Sequence, residues 1–275
     1  GGIEHQQAVE EIAQYLWLQY GGGASVRFVT VPFESVLEDI VANADSSLTT
    51  IILKRRMLVA ASRIARNLHA TALVTGESLA QVSSQTLPNI NVIDPAAELL
   101  VMRPLVMIGK QEIVSMARTI GVDAMVSAIP EYCGAVSVHP STAARLHRVL
   151  HEETKLDDSL IDVALEQARI QKIASLGSRD KAAVGEGPEV QSEPGADDIV
   201  IDIRHPAEVE CRPLRLPSAE ILVIPFYALA SRFGDLEQAR RDLQYCEQGV
   251  LSRLQAQHLQ ELGLRNERVW RLSKG

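Results

Sequence analysis

The chain carries three cysteines, at positions 133, 211 and 246, and one of them lies in a sequence suited to prepare a sulfur for chemistry. Around it the residues read Tyr245-Cys246-Glu247-Gln248-Gly249-Val250-Leu251-Ser252-Arg253. Cys246 closes a short apolar segment, Gly249 follows three residues later, and Ser252 opens a stretch with Leu254, Leu259 and Leu262 at helix-like intervals. Such a loop can turn its backbone N–H groups inward on the sulfur. Those donors, with the positive end of the helix, favour an anionic sulfur and would hold the terminal sulfur of a persulfide in the same way. The predicted chemistry of Cys246 is therefore sulfur acceptance and delivery, with Gly249 and Ser252 shaping its loop. A lone cysteine at a strand end is more often an inert buried side chain, but that role needs no anion-binding loop. Cys211, in Glu210-Cys211-Arg212-Pro213, matches no motif and reads as a bystander, and the local sequence of Cys133, Glu131-Tyr132-Cys133-Gly134, does not by itself make a thiol reactive.

A second constellation is VTGESLAQVSSQT, residues 74–86, which sets Gly76 and a string of hydroxyl and amide side chains just past an apolar run. In open α/β sheets ligands bind beyond the carboxyl ends of strands, although the pattern alone fits a polar helix start equally well. The basic run Lys54-Arg55-Arg56, with Arg63 and Arg66, could meet nucleic-acid phosphates. Charge runs on an amphipathic helix are more commonly its wet face. Lys110, in Gly109-Lys110-Gln111-Glu112, has the look of an exposed helix start. The cysteines form no CxxC zinc pattern, and no metal site is predicted.

These residues need a scaffold. Residues 26–33 (VRFVTVPF) alternate as a strand, and residues 52–68 place Leu53, Met57, Ala61, Ile64 and Leu68 at helical spacing. A short strand is expected at residues 71–75, and a helix at residues 110–120 with Gly121 as its stop. Strands alternating with helices predict a mostly parallel sheet covered on both sides. Residues 177–197 (GSRDKAAVGEGPEVQSEPGAD) turn rich in Gly, Pro and charge, which suits a linker. Beyond it, strands are expected at 199–203, 221–224 and 243–245, then a helix at 252–262 closed by Gly263. The expected organisation is a larger α/β domain at 1–176, a linker at 177–197 and a small α/β domain at 198–275.

The loop at Cys246, with Asp202-Ile203-Arg204 after the first strand of the small domain, resembles the rhodanese active-site loop and its Asp-x-Arg. The segment at 74–86, with Arg103-Pro104-Leu105, Lys110-Gln111-Glu112-Ile113 and Pro130-Glu131-Tyr132-Cys133-Gly134, resembles the adenylating domain of the tRNA 4-thiouridine synthetase family. The resemblance implies an α/β fold: a partial PP-loop (adenine nucleotide alpha hydrolase-like) parallel-sheet domain followed by a rhodanese-like domain. It implies an ATP-dependent tRNA sulfurtransferase, with Mg accompanying ATP, that makes 4-thiouridine in tRNA. Gly76, Glu77, Gln81 and Ser84 would line the nucleotide or target-base pocket, and Lys110 would supply positive charge for the phosphates. Cys246 would carry a persulfide received from a cysteine desulfurase, and Cys133 would form a transient disulfide with it. Sulfur transfer toward a thiamine sulfur-carrier protein is a further implied role. The family's SGGxDS pyrophosphate loop and its RNA-binding module are not in this sequence, so the expectation is a fragment unable to adenylate alone.

Composition bounds the alternatives. A net charge of -8 argues against a general cationic field for nucleic acid, leaving at most a local basic face. Few cysteines, no long apolar run and no signal-peptide pattern point to a reducing cytoplasm and to no membrane partner. A stand-alone thiosulfate sulfurtransferase is disfavoured by Leu251, where many rhodaneses carry a basic residue. A non-catalytic interaction protein would be favoured by unreactive thiols at 133 and 246.

Overall fold

The computed structural model describes residues 3–127, 129, 137, 139–176, 189–191, 194–195, 198–204, 206–216, 219–232, 241–246, 252, 255–256, 259 and 267–270. In chain order the elements begin with α1 (Ile3–Tyr20), β1 (Arg27–Thr30), α2 (Glu34–Asn43), α3 (Thr49–Asn67), β2 (Ala72–Val74), α4 (Leu87–Ile93) and β3 (Leu100–Met102). There follow α5 (Lys110–Thr119), α6 (Asp123–Ser127), α7 (Leu146–Glu153), α8 (Ser159–Glu166) and β4 (Arg169–Lys172). The remainder comprises β5 (Glu189–Gln191), β6 (Asp198–Asp202), α9 (Pro206–Cys211), β7 (Glu220–Val223), α10 (Phe226–Arg232), β8 (Arg241–Tyr245) and β9 (Glu267–Trp270). The chain divides into two compact units. One is Gln14–Ala128 with His139–Ser175, and the other is Leu176–Gly275 with Gly1–Ala13 and Ile129–Val138.

In the first of these units α3 is the central element. Its sequence has no Gly or Pro to interrupt it, and its end is closed by a Schellman arrangement in which His69 takes the left-handed conformation usually given to glycine. His69 has φ 57°, its N–H reaches Arg66 O at 3.0 Å, and Ala70 N–H reaches Ala65 O at 2.8 Å. The same pattern closes α5, where Gly121 (φ 82°) donates to Arg118 O and Val122 to Ala117 O, as its stop signal predicted. The buried face of α3 differs from the one its spacing suggests. Met57 is 51% exposed, while Ile51, Ile52, Arg55, Leu58, Ser62 and Ala65 are buried. The reason is that ion pairs let two arginines enter the packed side. Around α3 the core draws on Val36 and Ile40 of α2, Ile93 of α4, Val149 of α7 and Ile161 of α8.

The broad parallel sheet expected for this part of the chain is seen, among the described residues, as two short pairs. β2 and β3 are parallel, and β1 pairs antiparallel with β4. The parallel pair is the one that matters for a site, because its carboxyl ends feed the 74–86 segment and the segment before Lys110.

The second unit holds a five-stranded, all-parallel sheet in the order β5-β9-β8-β6-β7. β6 (DIVID) is buried at all five positions, as a central strand covered on both faces must be. Val200, Leu243 and Tyr245 form a cluster with Leu214, Leu216 and Ile221. Two strands join the three that were expected. One of them, β5, falls inside the stretch read as a linker: a three-residue strand between Pro188 and Pro194 gives too little apolar pattern to be seen in sequence. Of the helix expected at 252–262, Ser252, Gln255, Ala256 and Leu259 are helical and buried, and Leu254, Leu262 and Gly263 lie outside the described residues.

Candidate functional site

Cys246 leaves the carboxyl end of β8, one of the inner strands of the five-stranded sheet, and is 4% exposed. Ser252 bends back onto it: Ser252 N–H donates to Cys246 Sγ at 3.4 Å, and the two side chains meet at 3.5 Å between Oγ and Sγ. Ser252 itself is fully buried. A backbone donor and a hydroxyl thus converge on the sulfur, which is the arrangement an anionic sulfur atom needs when little water can reach it. Gly249 and Leu251 lie outside the described residues, as does Cys133. Cys211 is an exposed free thiol at the end of α9.

Next to this loop, at the end of β6, Asp202 and Arg204 form a buried pair. The guanidinium Nε donates to Oδ1 at 2.8 Å and Nη2 to Oδ2 at 2.6 Å, and Arg204 N–H also reaches Oδ1 at 3.2 Å. The Arg204 guanidinium stacks 5.2 Å from the centre of the Tyr245 ring, and Ile203 N–H bonds Tyr245 O at 3.0 Å. The hydrogen bonds that Arg204 donates to Asp202 raise its already high pKa. The Asp-x-Arg is therefore a brace: it fixes the residue immediately before Cys246 against the neighbouring strand.

The second candidate lies in the other unit, beyond the carboxyl ends of β2 and β3. Thr75 N–H bonds Met102 O at 3.0 Å, Leu79 N–H bonds Val106 O at 3.0 Å, and Ser78 Oγ donates to Ile108 O at 2.7 Å. The loop bearing Gly76 is thereby held beside the segment leading to Lys110, which is exposed at the first turn of α5. Gly76 and Gln81 are exposed. Ala80 adopts φ 60°, an uncommon choice for a residue with a Cβ, and its N–H bonds Gln85 O at 3.0 Å, so the loop turns back on itself. Ser84 is 1% exposed, and its hydroxyl has no hydrogen-bond partner among the described residues. Thr86 caps α4, and Asn89 ties the loop down through Nδ2 to Ser83 O (2.6 Å) and Ser141 O (2.8 Å), and by accepting from Ala144 N–H at Oδ1 (2.8 Å).

Glu77 is buried, with a carboxylate committed to protein partners. Lys54 Nζ donates to Oε1 at 2.7 Å, Arg103 Nε to Oε2 at 2.6 Å, and Thr75 Oγ1 to Oε2 at 3.2 Å. Burial pushes its pKa up, but the bonds from Lys54 and Arg103 outweigh that and leave it below its ordinary value. Arg103 also pairs with Asp94. Sequence reasoning gave Arg103 no role, and no local signal would have supplied one, since its partners sit nine and 26 residues away.

The picture of Lys54, Arg55 and Arg56 as a solvated basic face is corrected. Lys54 is spent on Glu77, and Arg55 forks onto Glu153 (2.8 and 3.0 Å) while donating to Val92 O at 2.6 Å. Arg56 pairs with Asp158. Arg55 and Arg56 are 6% and 8% exposed. Arg63 pairs with Asp162 and Arg66 with Glu98 on the outer side. Arg55, Arg56 and Arg63 thereby tie α3 to Glu153 of α7, to Asp158 and to Asp162 of α8. Among the described residues no cluster of His, Cys, Asp and Glu could hold a metal ion, and no helix is long and apolar enough to cross a membrane.

The family model described as thiamine biosynthesis protein (ThiI) matches residues 1–157. The tRNA sulfurtransferase of Azotobacter vinelandii (strain DJ) is 47% identical over 273 residues, covering 98% of this chain and 56% of its own length. That of Pseudomonas fluorescens (strain Pf0-1) is 46% identical over 275 residues, with 99% and 56% covered. The chain thus spans little more than half the length of the curated relatives it matches. A crystal structure of a 4-thiouridine synthetase–RNA complex with bound ATP is similar at a TM-score of 0.56 and 26% identity, covering 60% of this chain and 44% of that one. The mixed α/β architecture with parallel sheets agrees with that likeness, and with the family model matching more than half of its residues, the chain belongs to the thiamine biosynthesis protein (ThiI) family.

Proposed function

We propose that this chain is the sulfur-carrying part of an ATP-dependent tRNA sulfurtransferase that makes 4-thiouridine, working in the cytoplasm. The observation that carries the reading is Cys246 at the carboxyl end of a parallel strand, with the Ser252 N–H and hydroxyl on its sulfur. The relatives named tRNA sulfurtransferase and the RNA-bound, ATP-bound structural neighbour support tRNA and ATP as substrates.

In this proposal a cysteine desulfurase loads one sulfur onto Cys246 as a persulfide. ATP, with Mg, supplies the adenylate that makes the C4 oxygen of the target uridine a leaving group. The terminal sulfur of the persulfide then bonds to C4 as that group departs. The Cys133 thiol attacks Cys246 Sγ, the thiolated base leaves, and a Cys133–Cys246 disulfide remains for a thiol reductant to reopen. The site after β2 and β3 fits a nucleotide in part. The buried hydroxyl of Ser84, without a hydrogen-bond partner among the described residues, can serve a polar ligand group, exposed Gly76 and Gln81 border the loop, and Lys110 can face phosphate from the start of α5. Glu77 contributes by holding Lys54 and Arg103. Domain limits at 176 and 198, and sulfur passage to a thiamine sulfur-carrier protein, belong to the same proposal.

The test is direct. Incubation with a cysteine desulfurase and cysteine should add one sulfur to the Cys246 peptide by mass spectrometry. A Cys246→Ala chain that still takes up a full sulfur load would refute the assignment.

A further inference from the structure

Between β8 and β9 lie four described residues after Cys246, namely Ser252, Gln255, Ala256 and Leu259, all helical and buried. Their i, i+3, i+4, i+7 spacing puts them on one helix face. β8 and β9 are parallel neighbours, and a helix that connects two parallel strands of one sheet runs opposite to them. At one end of the pair, Ser252 N–H meets Cys246 Sγ. Gln255 lies one helical turn below Ser252, about 4.5 Å along the axis. Gln244 lies two residues below Cys246, on the same face of the strand by alternation and about 6.6 Å down. The two carboxamides are thereby brought to a similar depth beneath the sulfur.

Gln244 is fully buried and Gln255 is 6% exposed. Among the described residues neither Nε2 nor Oε1 of Gln244 has a hydrogen-bond partner, and Nε2 of Gln255 has none. Unpaired buried amides are expensive and rare, and an internal water with two or more polar partners is the usual way they are satisfied. An apolar side chain at position 244 would avoid the cost altogether, as Leu243 does on the opposite face of the strand.

We propose that Gln244 and Gln255 are a positioning pair for Cys246: an internal water accepting from their Nε2 groups joins strand to helix and fixes where the Ser252 N–H meets the sulfur. The proposal rests on Cys246 as the sulfur carrier. It makes the strand register below the cysteine part of the sulfur site, although neither amide touches the sulfur.

The test compares Gln244→Met, which keeps the side-chain length and removes both polar atoms, with Gln244→Asn, which keeps a carboxamide and leaves room for more water. Alkylation of Cys246 by iodoacetamide in the whole chain is followed by peptide mass spectrometry between about pH 6 and 9. The Met variant should melt no lower than wild type, yet its alkylation rate at neutral pH should change about fivefold and its pH profile should move. The Asn variant should recover most of the wild-type profile. A wild-type profile in the Met variant, or an equal change in both variants, overturns the proposal. Should Gln244→Met fail to fold, Gln255→Met puts the same question from the helix side, with the same outcomes. Failure of wild-type Cys246 to accept a persulfide would strike the carrier assignment and leave this comparison intact.

Discussion

Replacing Glu77 by Gln removes a buried anion shared by Lys54 and Arg103. The side chains of Glu77, Lys54 and Arg103 are 11%, 19% and 8% exposed, so the pair energies are only partly screened. Taking one partner out of a buried ion pair costs about 3–5 kcal/mol. Here the loss should be smaller: Gln keeps an acceptor oxygen, Arg103 keeps Asp94, and Lys54 can regain some water. A cost of about 2–3 kcal/mol follows, or about 4–12 °C in melting temperature for a unit of this size. The dependence on pH is the sharper test. Glu77 in the folded chain sits below its ordinary pKa of 4.5, so the unfolded chain binds more protons below that pH, and stability falls with acid. The contribution of Glu77 is complete above about pH 4.5 and is lost as the pH drops through the folded value. Asp45 and Glu152 are also held low, so the wild-type curve alone cannot isolate Glu77, but the difference between wild type and variant can. Thermal unfolding followed by circular dichroism should show a gap that is constant near neutrality and closes in acid. A gap under about 1 °C at pH 7, or one that persists unchanged into acid, would refute the account of the clamp.

Arg204→Met strands a fully buried Asp202 without its two guanidinium bonds, and should lower stability by about 3–5 kcal/mol, read as an earlier urea midpoint; an unchanged midpoint would show that the brace carries little. Asn89→Ala removes two hydrogen bonds that join the 83–89 segment to Ser141 and Ala144 and one to Ser83 within it, and should cost about 2–4 kcal/mol, with limited proteolysis showing faster cleavage in that segment. Cys211→Ser changes an exposed thiol, so stability should stay within about 0.5 kcal/mol and persulfide loading of Cys246 should be unaffected; a severe loss without unfolding would show that Cys211 takes part.

Elements with strong local signals could be read from sequence. β6 is a continuous apolar run between charges, and α5 ends at a glycine that does adopt the left-handed conformation. What escaped reading depends on distant partners. Arg55 and Arg56 look solvated until Glu153 and Asp158, about a hundred residues later, come to meet them. β4 (RIQK) has no alternation to mark it, and only its register with β1 makes it a strand. His69 performs a turn for which sequence reasoning looks to glycine, closing α3 with φ 57° and its N–H on Arg66 O.

The same distinction separates the two candidate sites. The reading of Cys246 rests on a local pattern: the thiol and the Ser252 N–H that meets it are six residues apart in the chain. The site after β2 is assembled from α3, β2, α4 and the segment after β3, and its charges can be judged only once they are paired. Lys54 and Arg103 stand against Glu77 and Asp94, two cations against two carboxylates, so the buried cluster offers no net positive charge. A triphosphate approaching this loop would have to break those pairs to use Lys54 or Arg103, leaving Glu77 buried and unneutralised at a cost of several kcal/mol. Lys110 carries no such penalty, being exposed at the first turn of α5 beside the segment that Ser78 and Leu79 hold in place. Of the basic residues considered at this end of the strands, it is the one whose charge is available to phosphate at little cost, which is the role proposed for it.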